Sequence, residues 1–325
     1  MTFQHQHAAH CESGTIANLL RHHGAQVSEP LAFGASAALG FAYLPFIRLN
    51  GLPLIAYRAQ PRAIIKGTAA AFGTRFRFER FSRPAEGQRR LDELLAQGQV
   101  VGLQTSVFWL PYFPETMRFH FNAHNLLVYG KEGDDYLISD PVAEDPQRCA
   151  AADLARARFA RGVLAPRGLL YYPAHAPRAE IDPTRLAPAI RKTARNLLAP
   201  LPLIGVRGMR TLAARIARLD PRDARSSPFI GHLVRMQEEI GTGGAGFRFL
   251  YAAFLQEADA RLPGQGLAGF AAELMEIGDA WRDFALAAAR MVKGRDALDP
   301  PAIAALLRAQ AAREETFFRA LLRAV

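Results

Sequence analysis

HNLLVYGKEGDDYLISDP, residues 124–141, reads as two short strands with a turn between them. Large apolar residues fill HNLLVYGKE (124–132) and DYLISD (135–140), and GKEGDD supplies the turn chemistry. An antiparallel pair of this kind brings His124, which opens the first strand, beside Asp140, which ends the second. A carboxylate beside an imidazole fixes its tautomer, and an imidazole so held can serve a nearby nucleophile as base and acid.

The segments around this pair set the fold class. Helical spacing appears in SGTIANLLRHHG (13–24), AQPRAIIKGTAAAFG (59–73) and EGQRRLDELLAQG (86–98), each closed by a glycine. Strand patterns appear at the end of the aromatic stretch 31–57, in TRFRFERF (74–81), QVVGLQTS (99–106) and GLLYYP (168–173), with short helices near 150–160. The stretch PAHAPRAEIDP (173–183) is a linker. Beyond it every segment reads as helix: 184–198, 207–219, 226–240, 246–261, 266–293 and 300–324. The expectation is an α+β domain over 1–175 and an all-α domain or cap over 184–325, with no internal repeat.

Composition narrows the class further. Half of the 325 residues are apolar and 22% are charged, enough for packed cores and too apolar for disorder. Two cysteines, Cys11 and Cys149, exclude a disulfide framework and a thiolate zinc cluster. The net charge is +10, carried almost wholly by arginine. Ten basic residues crowd 185–225 against Asp220 and Asp223. Such a stripe suits an anionic partner or is simply a solvated face. Aromatic residues do not interleave with it, as a nucleic-acid platform requires, so nucleic acid is not the expected partner. The basic segment MRTLAARIARLDPRDAR (209–225) lacks aromatic anchors for a membrane surface and reads as packing against other helices. MTFQHQHAAHCESG has no secretory pattern and LLAPLPLIGV (197–206) is too short to span a bilayer, so the expected location is cytoplasmic.

Cys11 stands just before the first helix, where the helix dipole and free N–H groups favour a thiolate. Alone, a cysteine there is equally a small buried side chain. The order Cys11, His124, Asp140 is what marks a nucleophilic site. His5, His7 and His10 form H-x-H-x-x-H, which reads as incidental, and no metal site is expected. Gly241, Gly243 and Gly246 match G-x-G-x-x-G, but helical sequence precedes them, so a helix–helix turn is expected. Phe41, Tyr43, Phe108, Trp109 and Tyr112 line an acyl channel or pack a core.

Several motifs together resemble a known family. His10-Cys11, Glu29-Pro-Leu-Ala-Phe-Gly34, Gly40-Phe-Ala-Tyr43 and Phe108-Trp-Leu-Pro-Tyr112 occur in the order found in the butirosin-biosynthesis acyltransferase family, and GTGGAGFRFLYAAFLQEA (241–258) resembles its helical region. The Cys…His…Asp-Pro order is similar, more distantly, to double-glycine leader peptidases. The resemblance implies a papain-like cysteine-protease-type N-terminal domain and transfer of an acyl or aminoacyl group from an acyl carrier protein to an amine in specialised metabolism. Cys11 would attack the thioester, His124 would act as base and acid, and Asp140 would orient His124. The Cys11 N–H and the Gln6 side chain would be oxyanion donors. No cofactor would be bound, the phosphopantetheine arm of the carrier being the donor. Acyl carrier proteins are typically acidic, so Arg191, Arg195 and Arg215 in the basic stripe would dock one. Hydrolysis by a thioesterase or cysteine peptidase of the same fold, and a non-catalytic scaffold, are the alternatives. Homo-oligomer formation is left open.

Overall fold

The structure is a computed structural model and describes residues 3–49, 51–240 and 243–325. The chain divides into two compact units, residues 1–32 with 61–182 and residues 33–60 with 183–325.

The first unit is built on a six-stranded antiparallel sheet. Its strands are β3 (Phe76–Glu79), β4 (Val101–Thr105), β5 (His124–Glu132), β6 (Asp135–Ser139), β7 (Gln147–Ala150) and β8 (Leu170–Pro173), in the order β3-β8-β4-β5-β6-β7; the two earlier strands, β1 (Leu39–Leu49) and β2 (Leu52–Arg58), belong to the other unit. Side chains alternate across a sheet, so Leu126 and Val128 of β5 point to one face. There they meet Leu91 and Leu94 of α4 (Pro84–Ala96) and Leu154 of α5 (Ala151–Arg158) in one buried cluster. The helix α1 (Cys11–His22) contacts β5 and the helix α3 (Ala63–Ala71), with Ile16, Leu19 and Leu20 buried. The core of β5 is apolar without a break because the sheet is covered on both faces.

Among the described residues, the second unit contains the hairpin β1 (Leu39–Leu49) and β2 (Leu52–Arg58) and six α-helices that lie wholly within it. These are α6 (Leu186–Leu197), α7 (Gly205–Ile216), α8 (Ser226–Glu238), α9 (Arg248–Asp259), α10 (Leu267–Val292) and α11 (Pro300–Ala324). Apolar residues at helical spacing, such as Leu186, Ile190 and Leu197, form the buried stripes. Arg248 and Glu314 are both fully buried, which is tolerable because every charge is met. Two Arg248–Glu314 bonds of 2.8 Å are joined by the Trp281 indole N–H on Glu314 (2.6 Å) and by Arg248 on the Gly246 carbonyl (2.7 Å).

Residues 33–60 therefore group with the helices and not with the rest of 1–175. The reason lies in pairing. The Tyr43 amide donates to the Leu203 carbonyl (2.9 Å), Ala42 bridges Ile204, and the His232 ring reaches the Pro53 carbonyl (2.9 Å). The short helix α2 (Glu29–Ala35) spans the division. No helix among the described residues is long and apolar enough to cross a membrane.

Candidate active site

Cys11 is the first residue of α1, and the chain before it is held from several sides. His10 is the N-cap in an extended conformation, and its Nδ1 accepts the Ser13 amide (3.2 Å). Glu29 accepts the amides of Ala9 (2.8 Å) and His10 (2.9 Å) and the Ser13 hydroxyl (2.8 Å). Burial pushes the Glu29 carboxyl up, against the pull of those three donors. The Ala8 amide donates to the Pro141 carbonyl (2.6 Å), which ties the approach to α1 to the turn after β6. Gly14 permits that approach: a Cβ there would lie 2.6 Å from the Cβ atoms of both Ala8 and Pro141.

The strand ends complete the site. His124 opens β5 and Asp140 follows β6, and both are buried. The His124 Nε2–H donates to Asp140 Oδ2 at 2.6 Å, and Cys11 is near enough to the ring to help raise its pKa. Asp140 also accepts the Tyr112 hydroxyl at Oδ2 (2.8 Å) and the Val142 amide at Oδ1 (3.2 Å). The Phe113 ring stands edge-on to His124 at 5.6 Å. Burial alone would lower the His124 pKa. The charge and hydrogen bond of Asp140, with a smaller contribution from Cys11, outweigh it and push His124 up to about 10. A thiol, an imidazole and a carboxylate that fixes the imidazole are the parts that nucleophilic cysteine chemistry needs.

The other expected residues are distributed unevenly. Phe41 and Tyr43 lie on β1 in the second unit, both buried, with Phe41 edge-on to Tyr57 at 5.4 Å. They pack the core of that unit. Phe108 and Trp109 line a cleft of about 420 Å³ in the first unit with Pro111, Glu115, Arg118 and Arg156. Trp109 is 37% exposed there, with the Arg156 guanidinium 5.7 Å from its ring centre. Tyr112 faces Asp140 and not the cleft lining. Gln6 is exposed, and its main-chain carbonyl accepts from Asn18 (2.9 Å). Arg191 on α6 donates to the Val325 carbonyl (2.8 Å), whereas Arg195 and Arg215 are exposed.

The histidine triplet does separate jobs. The His5 ring bridges Ser139 Oγ (2.8 Å) and the carbonyls of Ala143 and Glu144 (both 3.1 Å), His10 caps α1, and His7 is exposed. Gly241 lies outside the described residues. Gly243, Gly244, Ala245, Gly246 and Phe247, between α8 and α9, all have positive φ, the geometry of a tight turn. Sequence reasoning missed two structural carboxylates. Glu29 clamps the start of α1, and the buried Glu12 accepts the amides of Ile64 (3.1 Å) and Ile65 (3.4 Å) at the start of α3. The acidic-Pro-Leu-x-Phe-Gly motif marks Glu29, but nothing local says that it grips main chain twenty residues away.

The family model described as Butirosin biosynthesis protein H, N-terminal, matches residues 10–141. The model described as Domain of unknown function (DUF4872) matches residues 152–321. No curated protein gives a significant match. Among solved structures, one described as a C39-like peptidase from Bacillus anthracis is similar at 11% identity. It covers 55% of this chain and 96% of that chain, with a TM-score of 0.38.

Proposed function

The chain belongs to the family of the DUF4872 domain, preceded by a butirosin biosynthesis protein H N-terminal domain, and from that premise we propose that it is a cysteine-dependent acyltransferase. The donor is an acyl or aminoacyl thioester on the phosphopantetheine arm of an acyl carrier protein, the acceptor a small-molecule amine, and the setting cytoplasmic. The observation that carries this reading is Cys11 at the start of α1, close enough to His124 to act on its protonation, with the His124 Nε2 fixed on Asp140.

The chemistry follows from that geometry. A Cys11 thiolate beside the His124 imidazolium attacks the thioester carbonyl. The carbonyl oxygen takes up negative charge, and the Cys11 N–H, at the first position of α1 where no intrahelical acceptor is available, donates to it. The carbon–sulfur bond to pantetheine breaks, and the leaving thiolate takes the proton from His124. An amine then attacks the acyl-Cys11 carbonyl and gives its proton to His124, and the Cys11 thiolate leaves. Asp140 holds the imidazole in plane for both proton transfers.

Intact-protein mass spectrometry after incubation with acyl-loaded carrier proteins tests the reading. Wild type should gain the mass of the acyl group, and Cys11→Ala should gain none while melting at a similar temperature. A folded Cys11→Ala variant that still turns over rules the mechanism out. Product analysis with and without amines separates transfer from hydrolysis.

A further inference from the structure

The geometry points to Tyr112 as a positioning residue of the triad, held in place by Arg118 from the wall of the neighbouring cleft; its consequence for turnover rests on the acyl-transfer reading above. The Tyr112 hydroxyl donates to Asp140 Oδ2 at 2.8 Å, and that same oxygen receives His124 Nε2–H at 2.6 Å. With the Val142 amide on Oδ1, three donors fix a carboxylate that has no solvent contact. Two of them come from main chain and from the partner it must orient. Tyr112 is the one side chain among these whose task is the carboxylate itself.

Tyr112 belongs to no helix or strand, so its backbone needs a separate anchor. Arg118 supplies it from both sides: Nε donates to the Phe113 carbonyl (2.7 Å) and a terminal nitrogen to the Pro111 carbonyl (2.6 Å). These are the residues on either side of Tyr112. Pro111 and Arg118 also line the cleft with Phe108 and Trp109. One stretch of chain therefore forms both the cleft wall and the support of Asp140. Other ionisable groups facing this arrangement are Cys11, from α1, on His124 and Cys149, from β7, on Tyr112.

The electrostatic consequence has a sign. A phenol donating to Asp140 shares its negative charge, so less of that charge is left to hold the His124 proton. Without the phenol, His124 keeps its proton to higher pH and becomes a weaker acid toward a leaving thiolate.

The test is Tyr112→Phe, which preserves the ring and removes the hydroxyl. Histidine ¹⁵N resonances titrated without substrate should show His124 holding its proton to a pH higher by about one unit, the scale of one hydrogen bond to a charged group. With a small thioester, kcat should fall about tenfold while KM barely moves. Arg118→Gln should shift His124 in the same direction, and the double variant should add little to Tyr112→Phe. An unmoved His124 titration in folded Tyr112→Phe overturns the assignment, and fully additive effects overturn the role of Arg118. Wild type that forms no Cys11 adduct would instead sink the acyl-transfer reading, leaving the titration to decide the role of Tyr112.

Discussion

A buried carboxylate sets the pH range over which the imidazole beside it can act. For His124, desolvation favours the neutral ring, and the charge and hydrogen bond of Asp140 reverse that preference, so the proton stays until about pH 10. The folded value lies above the ordinary histidine value of about 6.5. The stabilisation it lends is therefore fully present below that ordinary value and is lost as pH rises through about 10. Activity that needs the imidazolium follows the same alkaline limb. Asp140→Asn removes the charge and should move that limb downward toward the ordinary histidine range. The pH dependence of acyl transfer from a small thioester measures it. A limb that stays near pH 10 in the variant would place the controlling proton on another group.

At the level of elements, the approach of α1 to the turn after β6 brings Cys11 to the strand ends. Helix propensity alone favours alanine over Gly14 by about 1 kcal/mol. Packing opposes it, because the new Cβ would lie 2.6 Å from Ala8 and from Pro141, neither of which has a flexible side chain to withdraw. Gly14→Ala should thus destabilise the protein by about 1–3 kcal/mol and slow Cys11 alkylation. A thermal melt that rises would show that the contact is loose. The same contrast between local preference and tertiary contact explains what the sequence makes legible. β5 and β6 are legible because continuous apolar runs flank a turn, and the six late helices because their apolar spacing is regular. Cys11, His124 and Asp140 follow from those elements, since each sits at an element's end. The strand β7, QRCA, is too short to carry a pattern. The allegiance of the β1–β2 hairpin is invisible because it depends on Leu203, Ile204 and His232, far along the chain. His10 escapes notice as a cap because histidine is not among the residues that usually cap helices.

Across the whole molecule the surplus of ten positive charges has a local source in 185–225, and the fold of that stretch sorts its arginines. α6 and α7 bury Ile190, Leu197, Met209 and Leu212, which leaves basic residues on their other faces. Some are spoken for: Arg210 pairs with Glu315, Arg225 with Asp223 at 2.8 Å, and Arg191 holds the Val325 carbonyl. Arg195 and Arg215 are exposed and are the better candidates for an acidic partner. If an acyl carrier protein docks there, the attraction acts on encounter and binding and leaves the chemistry on Cys11 alone. Arg195→Glu with Arg215→Glu should then raise KM for a carrier-bound donor by about tenfold at low salt. Added salt should shrink that difference, because exposed charges are screened over about 10 Å at 0.1 M. KM and kcat for a small thioester should not change. Adding Arg191→Glu should deepen the carrier effect, but it also breaks a contact to the chain end, so only a variant with an unchanged melting temperature counts. Equal losses with both donors would mean that the stripe is an ordinary solvated face and that the carrier docks elsewhere.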